Sequence, residues 1–200
     1  MTTLLFLLTF VTLLVLLIRF IVKAIRHKPL KQTLKLMGII AGSYLILWTV
    51  FYFTSSFTAV PLGTDVCFDD WCATVTKIEK GEAIKTKLSS LPSDSVWIIL
   101  HIKMSNHARG IAQKPSEPRV HLIDAKGHYW TYSVKGQRAL EQNVGKQPGI
   151  GSKLALGESL ETQLVYAVPV NAADIKALIE EGPFITKLLL PEDQQVFQAP

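Results

Sequence analysis

Acidic residues are absent from the first 64 positions. The six cations in that stretch, Arg19, Lys23, Arg26, Lys28, Lys31 and Lys35, all lie in or beside one short connection. Subtracting them from the 21 Lys and Arg leaves fifteen against sixteen Asp and Glu, so the rest of the chain is close to neutral at about −1. The formal charge of +5 belongs to one loop. A nucleic-acid-binding face, which spreads cations over a folded surface, is thereby set aside. Cysteine is nearly missing too, with only Cys67 and Cys72. No G-x-S-x-G is present for a nucleophilic serine. Gly149-Ile150-Gly151-Ser152-Lys153 lacks the spacing of a phosphate loop and leads into a strand where a helix is needed. No cofactor motif and no catalytic constellation emerge, and the expectation is a protein that is not an enzyme.

What the first part does have is apolar length. Residues 4–22 are apolar apart from Thr9, Thr12 and Arg19, and residues 36–57 carry no charge. A helix rises about 1.5 Å per residue, so roughly 20 residues cross a hydrocarbon core of about 30 Å. Arg19 lies near one end, where its stem can snorkel to the headgroups. Two transmembrane helices over 4–22 and 36–57 are expected. The purely basic loop 23–35 is then cytoplasmic by the positive-inside tendency. Trp48, Tyr52 and Phe53 lie toward the outer interface. The alternative for the first span is a cleaved signal peptide, but its start carries no cation and no small-x-small site precedes the charges. The bilayer is thus the first expected partner, and the chain reads as a multi-pass protein of the inner or plasma membrane. Residues 1–60 form the helical hairpin and 61–200 an extracellular or periplasmic domain. Gly38 and Gly42 form a G-x-x-x-G pair that lets two helix backbones approach closely. Its target is either the protein's own first helix, held nearby by the short loop, or a second copy in a homodimer.

Past Pro61 the pattern turns to short β-like runs. Val66-Cys67-Phe68 and Trp71 onward read as two strands around Asp69-Asp70. A two-residue loop would pair Phe68 with Trp71 and Cys67 with Cys72. The latter is then a non-hydrogen-bonded pair with Cα atoms about 4.5 Å apart, within disulfide reach. In an oxidising compartment a Cys67–Cys72 disulfide is expected. Two free core thiols or a redox pair are the alternatives, although redox pairs usually sit two residues apart at a helix start. Further strands are expected over 96–104, 120–123, 129–134, 160–168 and 184–190, with a little more at Val196-Phe197. Ile98, Leu100, Ile102 and Met104 should face a core. Residues 137–153 read as a long polar loop, and 172–180 as a short helix capped by Asn171. About seven strands at this spacing imply a mainly-β, two-sheet sandwich with one short helix.

Four segments in order suggest a family. They are Trp71 with Val75-Thr76-Lys77-Ile78-Glu79, a long strand ending in Asn106, the turn from Leu122 through Asp124 and Gly127 to Trp130, and Leu154 through Gly157-Glu158-Ser159 to Val168-Pro169. Together they resemble the telokin-like, immunoglobulin-like extracellular domains of bacterial surface proteins, a family of unknown function. The resemblance spans about 63–190 and contains no active-site motif. Leu156-Gly157 stands where that family commonly has Pro-Gly, and the family does not require the cysteine pair. It implies an immunoglobulin-like sandwich presenting loops and sheet edges to a protein, peptide or glycan partner.

Trp97, Tyr129, Trp130 and Tyr132 are the aromatic candidates for a contact patch, with core packing expected for at least half. His101, His107, His121 and His128 match no metal motif in their spacing, so no metal is expected. Glu180-Glu181 reads as the end of a solvated helix. Two functions fit: an anchored binding or interaction module at the bacterial cell envelope, or an accessory subunit of a larger transport or envelope complex docked through its helices.

Overall fold

A computed structural model of the chain describes residues 2–54, 57–68, 70–81, 94–182 and 194–198. They fall into two compact units, one holding a helical pair and the other the strands.

The helical unit consists of α1 (Thr2–Ile25) and α2 (Lys31–Thr54), each 24 residues and so about 36 Å long. Both are long and apolar enough to cross a membrane, a property the first shares with signal sequences. The chain turns at His27, whose φ of +50° places it in the left-handed region. His27 N donates to Ala24 O and Lys28 N to Lys23 O, a reciprocal pair that ends a helix, and Pro29 prevents its resumption. Leu16 and Thr33 are buried, with half-buried Met37, Ile40, Tyr44 and Trp48 continuing the stripe along α2 at three- and four-residue spacing. Phe6 meets Tyr44 with ring centroids 6.2 Å apart. The glycine pair is elsewhere on the helix surface: a Cβ added to Gly38 or Gly42 would meet nothing within 4 Å. Packing of these two glycines against α1 is therefore not the arrangement adopted. Bulky Met37, Tyr44 and Trp48 hold the stripe instead.

The second unit contains β1 (Phe57–Pro61), β2 (Val66–Phe68), β3 (Trp71–Lys80), β4 (Ser95–Asn106), β5 (Arg119–Ile123), β6 (Tyr129–Trp130), α3 (Val134–Val144), β7 (Ser159–Pro169), β8 (Lys176–Glu180) and β9 (Gln194–Gln198). One sheet has the order β1-β9-β8-β5-β6 and the other β2-β3-β4-β7. The fold is a mainly-β two-sheet sandwich. Ile98, Leu100, Ile102 and Met104 face its core as their alternation requires, meeting Tyr166 and Val168 of β7 and Val120, Leu122, Ile179 and Phe197 of the opposite sheet. Tyr166, fully buried, donates its hydroxyl to Val120 O at 3.1 Å and so links the sheets through the core. Burial, with a smaller effect from the nearby Tyr132, pushes its phenol far above the ordinary tyrosine range.

The hairpin register is Cys67↔Cys72 and Phe68↔Trp71, as turn geometry required, and Cys67 and Cys72 form a disulfide with Cα atoms 3.9 Å apart. Phe68 and Trp71 stack at 4.7 Å beside it.

Four elements differ from the sequence reading. The stretch taken as a helix, 172–180, contains instead β8, a central strand between β5 and β9. Its Ala177 and Ile179 point inward and Leu178 outward, all buried, and that two-sided burial outweighs the helix propensity of Lys-Ala-Leu-Ile-Glu. The expected long loop begins with α3. Ser133 caps it by accepting Gly136 N at 3.2 Å, and Gly136, Ala139 and Leu140 form its buried face. The strand expected over 129–134 is correspondingly only β6. β1 also begins ahead of the domain boundary expected at 61. The strand expected over 184–190 lies outside the described residues.

Candidate functional site

Two of the aromatic candidates, Tyr129 and Tyr132, lie at and just beyond the β5–β6 turn. The Asp124 carboxylate is nearly enclosed and accepts Lys126 N, His128 N and His128 Nδ1, each at 2.9 Å. Gly127, at a φ of +80°, donates to Asp124 O at 3.0 Å and closes the turn where only glycine is unstrained. Burial alone would raise the Asp124 carboxyl, but the hydrogen bonds from His128 and from the Lys126 amide outweigh it and hold the group below the usual carboxylate range. This tight turn fixes the register Leu122↔Trp130 and Ile123↔Tyr129. Trp130 consequently turns inward and packs on the core, and Tyr129 turns outward against His121, ring centroids 6.0 Å apart.

The four aromatic candidates therefore do not make one patch. Trp97 is only 4% exposed, covered with Ile99 and Val165 by Ala139 and Leu140 of α3. Tyr129 and Tyr132 are the exposed ones, at 53% and 50%. Val134, next along the same segment, is exposed as well. The missing signal for Trp97 was α3: only a helix whose glycine comes within van der Waals contact of the indole can bury the outer face of β4. A Cβ on Gly136 would stand 2.6 Å from Val165 Cγ1 and 2.7 Å from Trp97 Cζ3.

From Tyr132 the chain reaches the edge of the other sheet and covers part of it. Ser133 N donates to Val165 O at 2.6 Å. The Gln137 carboxamide then mimics a strand, accepting Val165 N at 3.2 Å and donating to Gln163 O at 2.9 Å. A partner strand cannot pair with this part of β7, because its edge groups are already satisfied. No pattern in the sequence marks Gln137 for this role, since it depends on where α3 docks.

The histidines separate into pairs. His101 Nε2 lies 2.8 Å from Glu79, His128 Nδ1 2.9 Å from Asp124, and His121 Nε2 3.9 Å from Glu180, while His107 meets Ser105 Oγ at 3.0 Å. Among the described residues no three His, Cys, Asp or Glu converge in a metal-holding group. Glu79 also pairs with Lys77, and hydrogen bonds from Lys77 and then His101 hold its carboxyl below the ordinary range. Glu181 is no solvated helix end. Its Oε1 accepts Trp71 Nε1 at 2.8 Å and Ser116 N at 2.9 Å, which ties the disulfide hairpin to the β4–β5 connection and to the end of β8. Gly149 to Ser152 forms a turn that leads to Leu154, bridged to Gln113, with no helix following.

No family model matches the chain, and no curated protein matches it either. Solved structures similar to it include a conserved hypothetical protein from Bacillus anthracis, 18% identical with a TM-score of 0.46, covering 60% of this chain and 87% of that one. The secreted protein MPT63 of Mycobacterium tuberculosis is 13% identical with a TM-score of 0.48, covering 72% and 99%. An uncharacterised β-sandwich protein from Clostridium difficile 630 is 14% identical with a TM-score of 0.45, covering 72% and 95%.

Proposed function

We propose that the chain is a membrane-anchored binding module of the bacterial cell envelope, with α1 and α2 as spans and the sandwich outside the cytoplasm. The observation that carries this reading is one chain joining an acid-free apolar helical pair to a disulfide-bearing sandwich. The disulfide favours an oxidising compartment for the sandwich, and the basic α1–α2 connection favours the opposite side of the membrane for itself. The two-sheet architecture is in keeping with the resemblance to telokin-like extracellular domains. The partner is a protein, peptide or glycan, and Tyr129 and Tyr132 are the exposed aromatic side chains offered to it.

An accessory subunit docked through its helices is the second reading. The unoccupied Gly38–Gly42 face of α2 favours it, since small residues open to the surroundings suit another helix, including that of a second copy. A pulldown from envelope extracts separates the two. The fragment 57–200 should capture the same partner as the full chain if the sandwich binds. Capture of a membrane complex by the full chain alone would favour the second reading.

A further inference from the structure

Arg19, Lys23, Arg26, Lys28, Lys31 and Lys35 have no acidic residue before Asp65 to offset them. Four of these cations converge on one open groove of about 560 Å³ at the α1–α2 turn. Lys23 comes from the last turn of α1, Lys28 and Pro29 from the connection, and Lys31, Gln32 and Lys35 from the start of α2. The Lys23 ammonium donates to the buried Thr33 Oγ1 at 2.9 Å, which ties the end of one helix to the start of the next. The groove is thus held together by a specific contact although its cations repel one another. Its electrostatics are unfavourable as they stand. The first turn of α2 holds no acid and begins with Lys31, where the helix dipole already presents its positive end. A bound anion relieves both effects.

The surroundings decide which anion. Ile21, Val22 and Ile25 at the end of α1 and Leu34 and Leu36 at the start of α2 are all exposed. These side chains do not line the groove but stand on the same two helix ends. A ligand that places a phosphate among the lysines and its acyl chains beside those helix ends satisfies both, which a free inorganic anion cannot do. We propose that this groove binds the phosphate of an acidic phospholipid headgroup, with Lys28, Lys31 and Lys35 as its cations. The assignment rests on α1 and α2 being membrane spans.

The test uses the full chain in phosphatidylcholine vesicles containing spin-labelled phosphatidylglycerol or spin-labelled phosphatidylcholine. Labelled phosphatidylglycerol should be enriched at the protein, on the order of fivefold for each lysine that meets the headgroup. The K28Q/K31Q/K35Q variant, which retains the Lys23–Thr33 bond, should lower that enrichment to the phosphatidylcholine value. Equal association of both lipids with the native chain, or enrichment that survives in the variant, overturns the proposal. Enrichment abolished by millimolar inorganic phosphate assigns the groove to a soluble anion and overturns it too. Carbonate extraction of the same vesicles reads the membrane assignment separately. Release of the chain overturns both readings, whereas a retained chain with no lipid preference overturns this one alone.

Discussion

Asp124 shows how one side chain organises a surface. It carries three hydrogen bonds into its own turn, and its carboxyl is lower in the folded protein than in the unfolded chain. Glu79 shares that direction, through Lys77 and His101. A carboxylate lowered by folding contributes stability that is fully present above its unfolded value, roughly 4. That contribution disappears as pH falls through the lower folded value. Acid titration of unfolding should therefore show stability decreasing below about pH 4, and Asp124→Asn should flatten the slope. An unchanged slope would mean that the turn holds without its charge. Tyr166 acts differently, as a buried neutral donor. Tyr166→Phe keeps the ring and removes only the bond to Val120 O, so denaturant unfolding should show a loss of about 1 kcal/mol.

For the elements, α3 and β8 are the instructive pair. Each was readable only in part, because local propensity and tertiary burial disagree. Lys176–Glu180 has helix-forming residues, yet its neighbours on both sides are strands that need a partner. Val134–Val144 is polar overall and carries a glycine, yet that glycine is what lets the helix reach Trp97. Gly136→Leu should overpack this contact and cost about 1–3 kcal/mol, with altered tryptophan fluorescence marking the disturbance at Trp97. On α2 the prediction runs the other way. A Cβ at Gly42 would meet nothing within 4 Å, so Gly42→Ile should leave the α1–α2 pair folded. If α2 is a dimer contact, the same substitution should abolish the dimer in detergent, measured by analytical ultracentrifugation. The β2–β3 hairpin closes a very small loop, so Cys67→Ser with Cys72→Ser should cost only about 2 kcal/mol. Unfolding with and without reductant measures that difference in the native chain.

At the level of the whole molecule, β1 changes where the sandwich begins. A fragment started at 61 removes most of Phe57–Pro61 and uncovers β9, so it should be less stable than one started at 57 when both are melted side by side. The sequence by itself determined the acid-free apolar helices, the Cys67–Cys72 register and the inward set on β4. Each follows from periodicity or turn length within one segment, where a residue's neighbours in the chain are also its neighbours in space. Only the tertiary structure decided that Trp97 is covered, that β8 is a strand, that Gln137 covers part of the β7 edge and that Glu181 ties three elements together. Those outcomes depend on residues far apart in the chain, whose burial and hydrogen bonding exist only once the two sheets have packed.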